Sequence, residues 1–262
     1  MRRVQLVELE DQPWFPRLWR DAGTAYLELA ARIAGHSARL APELARVLRA
    51  SGAKRIVDLC SGGGGPVVAI TEELAKAGQP VEVLLTDFYP NLPAFARARE
   101  LSGGRIDFST APVDATKVPA ELGGLRTIFN AFHHFPPAAA ARILGDAADA
   151  RQPIAVFEIA GREPATLLGI LFAPILFALT LPLLRPFRWA WLPFTYLLPV
   201  LPLFVLWDGL VSCLRVYMPA DLRELLARLE RRHRDAYTWE IARVRLGAAP
   251  AHATVLVGLP RA

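Results

Sequence analysis

The segment Ile56-Val57-Asp58-Leu59-Cys60-Ser61-Gly62-Gly63-Gly64-Gly65-Pro66 sets four consecutive glycines and a proline directly after an apolar run. A strand ending in such a sequence must turn sharply through backbone angles that glycine adopts cheaply, and the proline suits the first turn of a following helix. Such a turn is built to receive a ligand against bare backbone.

From position 55 onward, short apolar strands alternate with helical stretches. Strands are expected over 55–59, 81–86, 105–109, 126–131 and 154–159, and helices over 66–77, 92–101 and 137–150. This alternation predicts a doubly wound α/β fold, a largely parallel sheet with helices on both faces. Ligands then bind beyond the carboxyl ends of the strands, where the strand order reverses. Up to Ala50 the apolar residues recur at helical spacing, so residues 1–54 read as a helical N-terminal cap. Within it, Trp14, Phe15 and Trp19 gather around Pro16, which interrupts a simple helix and makes the segment a pocket cap or a pin for the terminus. The remaining expected units are a core at 55–160, an apolar insert at 161–218 and a closing unit at 219–262. That last unit holds a helix over 219–232 and strands over 237–246 and 254–259, joined through Gly247-Ala248-Ala249-Pro250.

Composition narrows the function classes. Cys60 and Cys213 are the two cysteines, so neither a disulfide framework nor a cysteine zinc site is supported, and a reducing cytoplasmic setting fits best. Met1-Arg2-Arg3-Val4-Gln5 lacks the apolar run of a secretory signal and reads as a mature start. The net charge of +5 comes from arginines scattered along the chain, which argues for a solvated surface and against nucleic acid. The dense cluster around Arg231-Arg232-His233-Arg234 is expected at the end of a helix, where cations favour the dipole.

A glycine turn alone is a weak signal, and spacing tests it. The dinucleotide fingerprint requires glycine where Val67 or Val68 stands, and the phosphate-binding loop requires a Gly-Lys pair that is absent. The carboxylates add what the glycines lack. Asp87 ends the second strand, where it can accept bonds from both hydroxyls of a ribose. Asp114 follows the third strand, within reach of an adenine amino group, and Asp58 precedes the turn, able to hold it or to face an ammonium group. At these positions the chain resembles the class I S-adenosylmethionine-dependent methyltransferases. The resemblance covers about 55–160 and the final strand pair, and rests on Asp58 to Gly64 as the first motif, Asp87 as the ribose acid and Asp114 as the adenine-side acid. It implies a Rossmann-like seven-stranded sheet with an antiparallel last strand and S-adenosyl-L-methionine as cofactor. The binding set it implies is Asp58, Cys60, Ser61, Gly62, Gly64 and Pro66 at the turn, Asp87 and Phe88, Asp114 and Ala115, and Asn130. Cys60 replaces the family's first glycine, which an ordinary backbone angle would allow.

Methyl transfer from a sulfonium needs chiefly in-line alignment, with a general base where the acceptor is a hydroxyl or a protonated amine. Candidate bases at the strand ends are His133, His134 and Glu158; the histidines equally suit a role in shaping the pocket. Beyond the insert, Asp208, Arg215 and Tyr217 form a second candidate set, and the two charges are expected to pair with each other or with a ligand. The insert holds 18 uncharged residues at 167–184 and 19 at 189–207, separated by Arg185-Pro186-Phe187-Arg188. Pro174, Pro182, Pro193, Pro199 and Pro202 argue against two membrane spans, as does a short arginine-bearing loop. Two readings remain: a lid or homodimer face lining a dry pocket, or a monotopic element with peripheral contact to the inner face of the membrane through 167–207. The chain therefore reads as a methyltransferase acting on an O or N atom of a hydrophobic small molecule. The alternatives are a membrane-associated lipid or quinone-type methyltransferase and a non-catalytic cofactor-binding module. No metal is called for.

Overall fold

The computed structural model describes residues 2–247 and 252–261; Ala248, Ala249 and Pro250 of the expected closing turn lie outside them. Two helices lead in, α1 (Arg17–Ile33) and α2 (His36–Ser51). Pro16 does not interrupt α1 but precedes its first residue, in extended backbone. The core follows as β1 (Arg55–Asp58), α3 (Gly65–Lys76), β2 (Glu82–Leu85), α4 (Leu92–Leu101), β3 (Ile106–Phe108), β4 (Leu125–Phe129), a single turn at Phe132–His134, α5 (Pro137–Asp149) and β5 (Ile154–Glu158). The insert comprises α6 (Pro164–Leu171), α7 (Ala173–Thr180), a wide turn at Pro193–Leu197 and α8 (Val200–Arg215). The chain closes with α9 (Pro219–Ala227), α10 (Arg231–Ala236), β6 (Tyr237–Arg245) and β7 (His252–Pro260).

The seven strands form one sheet in the order β3-β2-β1-β4-β5-β7-β6, with β1 to β5 parallel and β7 antiparallel to both neighbours. The order reverses between β1 and β4, which opens the crevice at the end of β1. Successive residues of a strand serve opposite faces. Ile56 packs with Leu44, Ile70 and Phe95 under α2, α3 and α4, whereas Val57 packs with Ile143, Ala147 and Leu222 under α5 and α9. Burial on both faces explains why β5 reads as a near-continuous apolar run, and in β4 the buried Arg126 is answered by Asp146 at 2.7 Å.

The expected helix over 219–232 is two helices. The break lets buried Leu229 join the core and carries His233 to Asp149, 2.9 Å away. Arg231 and Arg232 consequently open α10 instead of closing a helix, and they pair with Asp235 and Glu230. Four prolines of the insert stand at helix starts: Pro164 on α6, Pro174 on α7, Pro193 on the wide turn and Pro199 just ahead of α8. They cut the apolar runs into short helices. Among the described residues no single helix is long and apolar enough to cross a membrane; two bent pairs, broken by 47° and 52°, meet that test together.

A third apolar cluster joins the two ends of the chain. Phe15, Tyr26 and Leu29 pack with Phe177, Leu184, Trp191 and Phe204, so the lead-in and the insert share one core. The Trp191 indole N–H donates to the Leu18 carbonyl at 2.9 Å, satisfying the polar atom of a fully buried ring. Phe177 is fully buried, its ring centroid 5.4 Å from that of Tyr26. Phe177→Ala is expected to cost about 3 kcal/mol by opening a cavity at this junction, read as a lowered urea midpoint with unchanged far-UV circular dichroism.

Candidate active site

The turn after β1 is held by a buried carboxylate. Asp58 accepts from the Thr127 hydroxyl at 2.6 Å and the Ser61 hydroxyl at 2.7 Å, which ties β1, the turn and β4 together. Of the two roles the sequence allows, Asp58 therefore takes that of holding the turn. Burial pushes its carboxyl up to about 7 against those two bonds. The Ser61 N–H donates to Thr86 at 3.0 Å, binding the turn to the end of β2 as well. Gly62 and Gly64 lie at φ 55° and 77°, angles that favour glycine. Cys60 corrects an expectation: its φ is 57°, so the residue replacing the family's first glycine sits in the left-handed region and carries strain. Its thiol is pushed up by burial, which suits a packed side chain and not a nucleophile.

Gly63 and Gly65 have a different reason to be glycine. A Cβ on either would lie within 2.8 Å of the Glu28 side chain, which α1 lays against the turn. Burial raises the Glu28 carboxyl. Beside this contact a groove of about 500 Å³ runs between α1, α3 and α4, apolar at Leu29, Val68 and Trp191 and rimmed by Arg17, Arg32 and Arg97.

Along the strand ends, the Asp87 carboxylate accepts the Gly62 N–H at 2.8 Å and the Tyr89 N–H at 2.8 Å, one on each oxygen. Phe88 and Tyr89 beside it are exposed. Asp114 receives both the N–H and the hydroxyl of Thr116 at 2.8 Å on one oxygen, leaving the other free at the surface. Two members of the proposed set face elsewhere. The Ala115 side chain is buried with Val113 and Val118, and the Asn130 side-chain oxygen accepts from the N–H groups of Ile159 and Ala160. Asn130 itself sits at φ 50°, a strained crossing from β4 that these bonds sustain. Pro66 lies in the first turn of α3.

The second candidate set converges on the N-terminal segment. His133 is buried, its Nδ1 2.7 Å from Glu158, which also accepts the His133 backbone N–H at 3.0 Å. His134 Nδ1 lies 2.8 Å from both Glu8 and Asp11. Arg215 reaches the same two carboxylates at 3.1 and 2.7 Å, and also donates to the His134 carbonyl at 2.6 Å. Asp208 and Arg215 therefore do not pair with each other. Asp208 accepts the backbone N–H groups of Leu9 and Glu10 at 2.8 and 2.9 Å, and burial nevertheless pushes its carboxyl up to about 6. The Tyr217 hydroxyl donates to the Phe135 carbonyl at 2.7 Å, while the Arg3 guanidinium stands 4.1 Å over its ring. Burial raises the Tyr217 hydroxyl to about 12.

These contacts latch residues 3–11 over the carboxyl ends of β4 and β5. Sequence reading missed Arg3, Glu8, Asp11 and Glu28, because no motif surrounds them and their partners lie far along the chain. Ligating atoms of Glu8, His133 and His134 fall within 4.8 Å of one another, the geometry of a metal site, but the Arg215 cation already neutralises Glu8.

The latch has a signed pH dependence. Burial opposes the charged form of Asp11, but the bonds from His134 and Arg215 outweigh it and bring its carboxyl down to about 2. Burial likewise opposes a charged His134, yet Asp11 and Glu8 raise it well above 6.5. The Asp11 contribution is present above its ordinary value near 3.8 and lost as pH falls through about 2. The His134 contribution is complete below 6.5 and lost as pH rises through its raised value. Burial also raises Asp208 to about 6 and Glu10 to about 7, contributions lost as pH rises through those values, so amide exchange across the latch, corrected for intrinsic rates, is expected to be slowest at about pH 4 and to quicken toward about pH 7, and His134→Gln should quicken it throughout that range. Separately, Cys60→Gly is expected to stabilise the fold by about 1 kcal/mol by removing left-handed strain, measured by urea denaturation.

No protein-family model matches the sequence, and a search of curated proteins gives no match. Among solved structures, the chain is similar to the pyocyanin biosynthetic protein PhzM, at TM-score 0.52 and 18% identity over 89% of this chain and 57% of that one. An O-methyltransferase family 2 protein from Planctomyces limnophilus DSM 3776, in complex with apigenin, aligns at TM-score 0.53 and 15% identity over 95% of this chain and 63% of that one. The methyltransferase domain of bacterial CtHen1-CN aligns at 0.51 and 12%, over 84% and 97%. The chain spans 57% and 63% of the lengths of the first two. The seven-stranded order, the antiparallel β7 and these likenesses agree: the chain has the Rossmann-like fold shared by these methyltransferase structures.

Proposed function

We propose that the chain transfers a methyl group from S-adenosyl-L-methionine to an oxygen or nitrogen atom of a hydrophobic small molecule. The observation that carries this reading is the Asp87 carboxylate, oriented by the Gly62 and Tyr89 N–H groups at the topological switch of the sheet. A carboxylate has about four acceptor sites, so two remain for the hydroxyls of a ribose. Exposed Phe88 and Tyr89 offer apolar surface to a flat base, and the free oxygen of Asp114 offers an acceptor for its amino group. By this donor set the residues fit the cofactor. When bound, it supplies an activated methyl on a sulfonium, and the chain's work is binding and alignment.

His133 and His134 are committed to carboxylates, so the favoured acceptor is a nucleophile that has already lost its proton to water, such as a phenolate oxygen or an unprotonated aromatic nitrogen. The apigenin complex of the Planctomyces limnophilus protein, a phenolic ligand on the same fold, supports that class. Free thiols at Cys60 and Cys213 support a reducing, cytoplasmic setting.

Isothermal titration tests the reading. The wild-type chain is expected to bind S-adenosyl-L-methionine or its demethylated product, and Asp87→Ala to weaken binding about 100-fold through two lost charged hydrogen bonds. Binding of neither compound by the wild type overturns it. A chain that binds but transfers no radiolabelled methyl to extracted apolar compounds is the non-catalytic module.

A further inference from the structure

We infer that the insert docks on the surface of an anionic lipid bilayer, lying on it without crossing. Leu168 and Leu171 on α6, Phe172 at the break and Ile175, Leu176 and Leu179 on α7 are all exposed and recur at i, i+3, i+4, i+7, i+8 and i+11. That is the stripe by which an amphipathic helix joins a core, yet here it faces outward. Its opposite side is already used, since Ala173, Phe177, Leu181 and Leu184 are buried against the lead-in. The exposed face continues onto the wide turn, where the Tyr196 hydroxyl donates to the Ala178 carbonyl at 2.7 Å and Leu197 and Leu198 stand open. A contiguous apolar surface of this kind marks an interaction site.

The occupant follows from charge and side-chain type. Residues 164–207 contain no Asp, Glu or Lys; their charges are Arg185 and Arg188. Arg188 pairs with Asp21 at 2.8 Å, whereas Arg185 donates to the Pro182 and Leu184 carbonyls. Trp189, 79% exposed, adjoins these arginines, and Tyr196 and Trp207 are exposed as well. Amphipathic aromatics with arginines around an apolar band are the composition of an interfacial element. A second copy seated on the same face would meet an identical patch with positive charge and no acid to answer it, because an isologous interface repeats one surface on both sides. Anionic headgroups supply that answer. The helices lie too short and too sharply bent to span singly, which leaves docking on one leaflet.

Co-sedimentation of the full chain with phosphatidylcholine vesicles, with and without phosphatidylglycerol, tests the inference without cofactor or acceptor, so its failure leaves the methyl-transfer reading intact. The wild type is expected to bind the phosphatidylglycerol vesicles, and Arg185→Gln to weaken that binding about fivefold. The double substitution Leu176→Asp with Leu179→Asp is expected to abolish binding while far-UV circular dichroism and Tm stay unchanged, both sites being exposed. Absence of wild-type binding overturns the inference, as does undiminished binding by the double variant. A dimer in sedimentation velocity that the double variant dissociates also overturns it, in favour of a second copy on this face.

Discussion

The buried Asp58 carboxylate is the contact on which the rest of this structure depends. It lies where β1 and β2 end together, beside Thr127 in the middle of β4, and its two oxygens bind the Thr127 and Ser61 hydroxyls. An ionised carboxylate there has no water to solvate it, so its environment raises it to about 7 and those two donors become indispensable. They bind the ladder of one strand to the turn that follows another. With the turn so held, Gly62 can extend its N–H to Asp87, and the glycine backbone stands open at the switch point. Strain at Cys60 and Asn130 is the local counterpart, since both residues leave their strands through left-handed angles that the surrounding bonds enforce.

A second organising network joins the chain's beginning to its later parts. Glu8 and Asp11 meet His134 and Arg215, while Asp208 captures two backbone N–H groups of the same segment. Buried charges of this kind are stable only when mutually satisfied, and each partner here has at least two counterparts. The aromatic cluster of Phe15, Tyr26, Phe177 and Trp191 does the apolar part of the same task. Together they make the lead-in and the insert one covering layer over the carboxyl ends of the sheet. Glu28 belongs to this layer too, and its contact with Gly63 and Gly65 shows that two of the four glycines answer to packing as much as to turning.

Much of the core was legible from local pattern. Alternating strands and helices, the turn, Asp87 at its strand end and the antiparallel closing pair all depend on periodicity and on residues close in sequence. Errors gathered where one residue's environment outweighed pattern. The helix over 219–232 breaks because Leu229 and His233 have partners in α5 and the core. The roles of the Asn130 and Ala115 side chains were equally invisible to pattern: one caps β5 and the other fills the core. Asp208 and Arg215 were expected to pair with each other or with a ligand, and of these the mutual pair does not form, since each binds the N-terminal segment.

Sequence by itself determined the alternation of strands and helices in the core, the doubly wound topology, the position of the glycine turn and the polarity of the insert, since each arises from interactions spanning a few residues or from simple exclusion of apolar groups from water. Tertiary structure alone decided which carboxylate meets which cation, which side of the insert is buried and which residues cover the site. The latch joins residues about 130 to 200 positions apart, and at that separation a side chain's charge is visible in the sequence while its partner is set only by how the sheet and helices bring distant segments together.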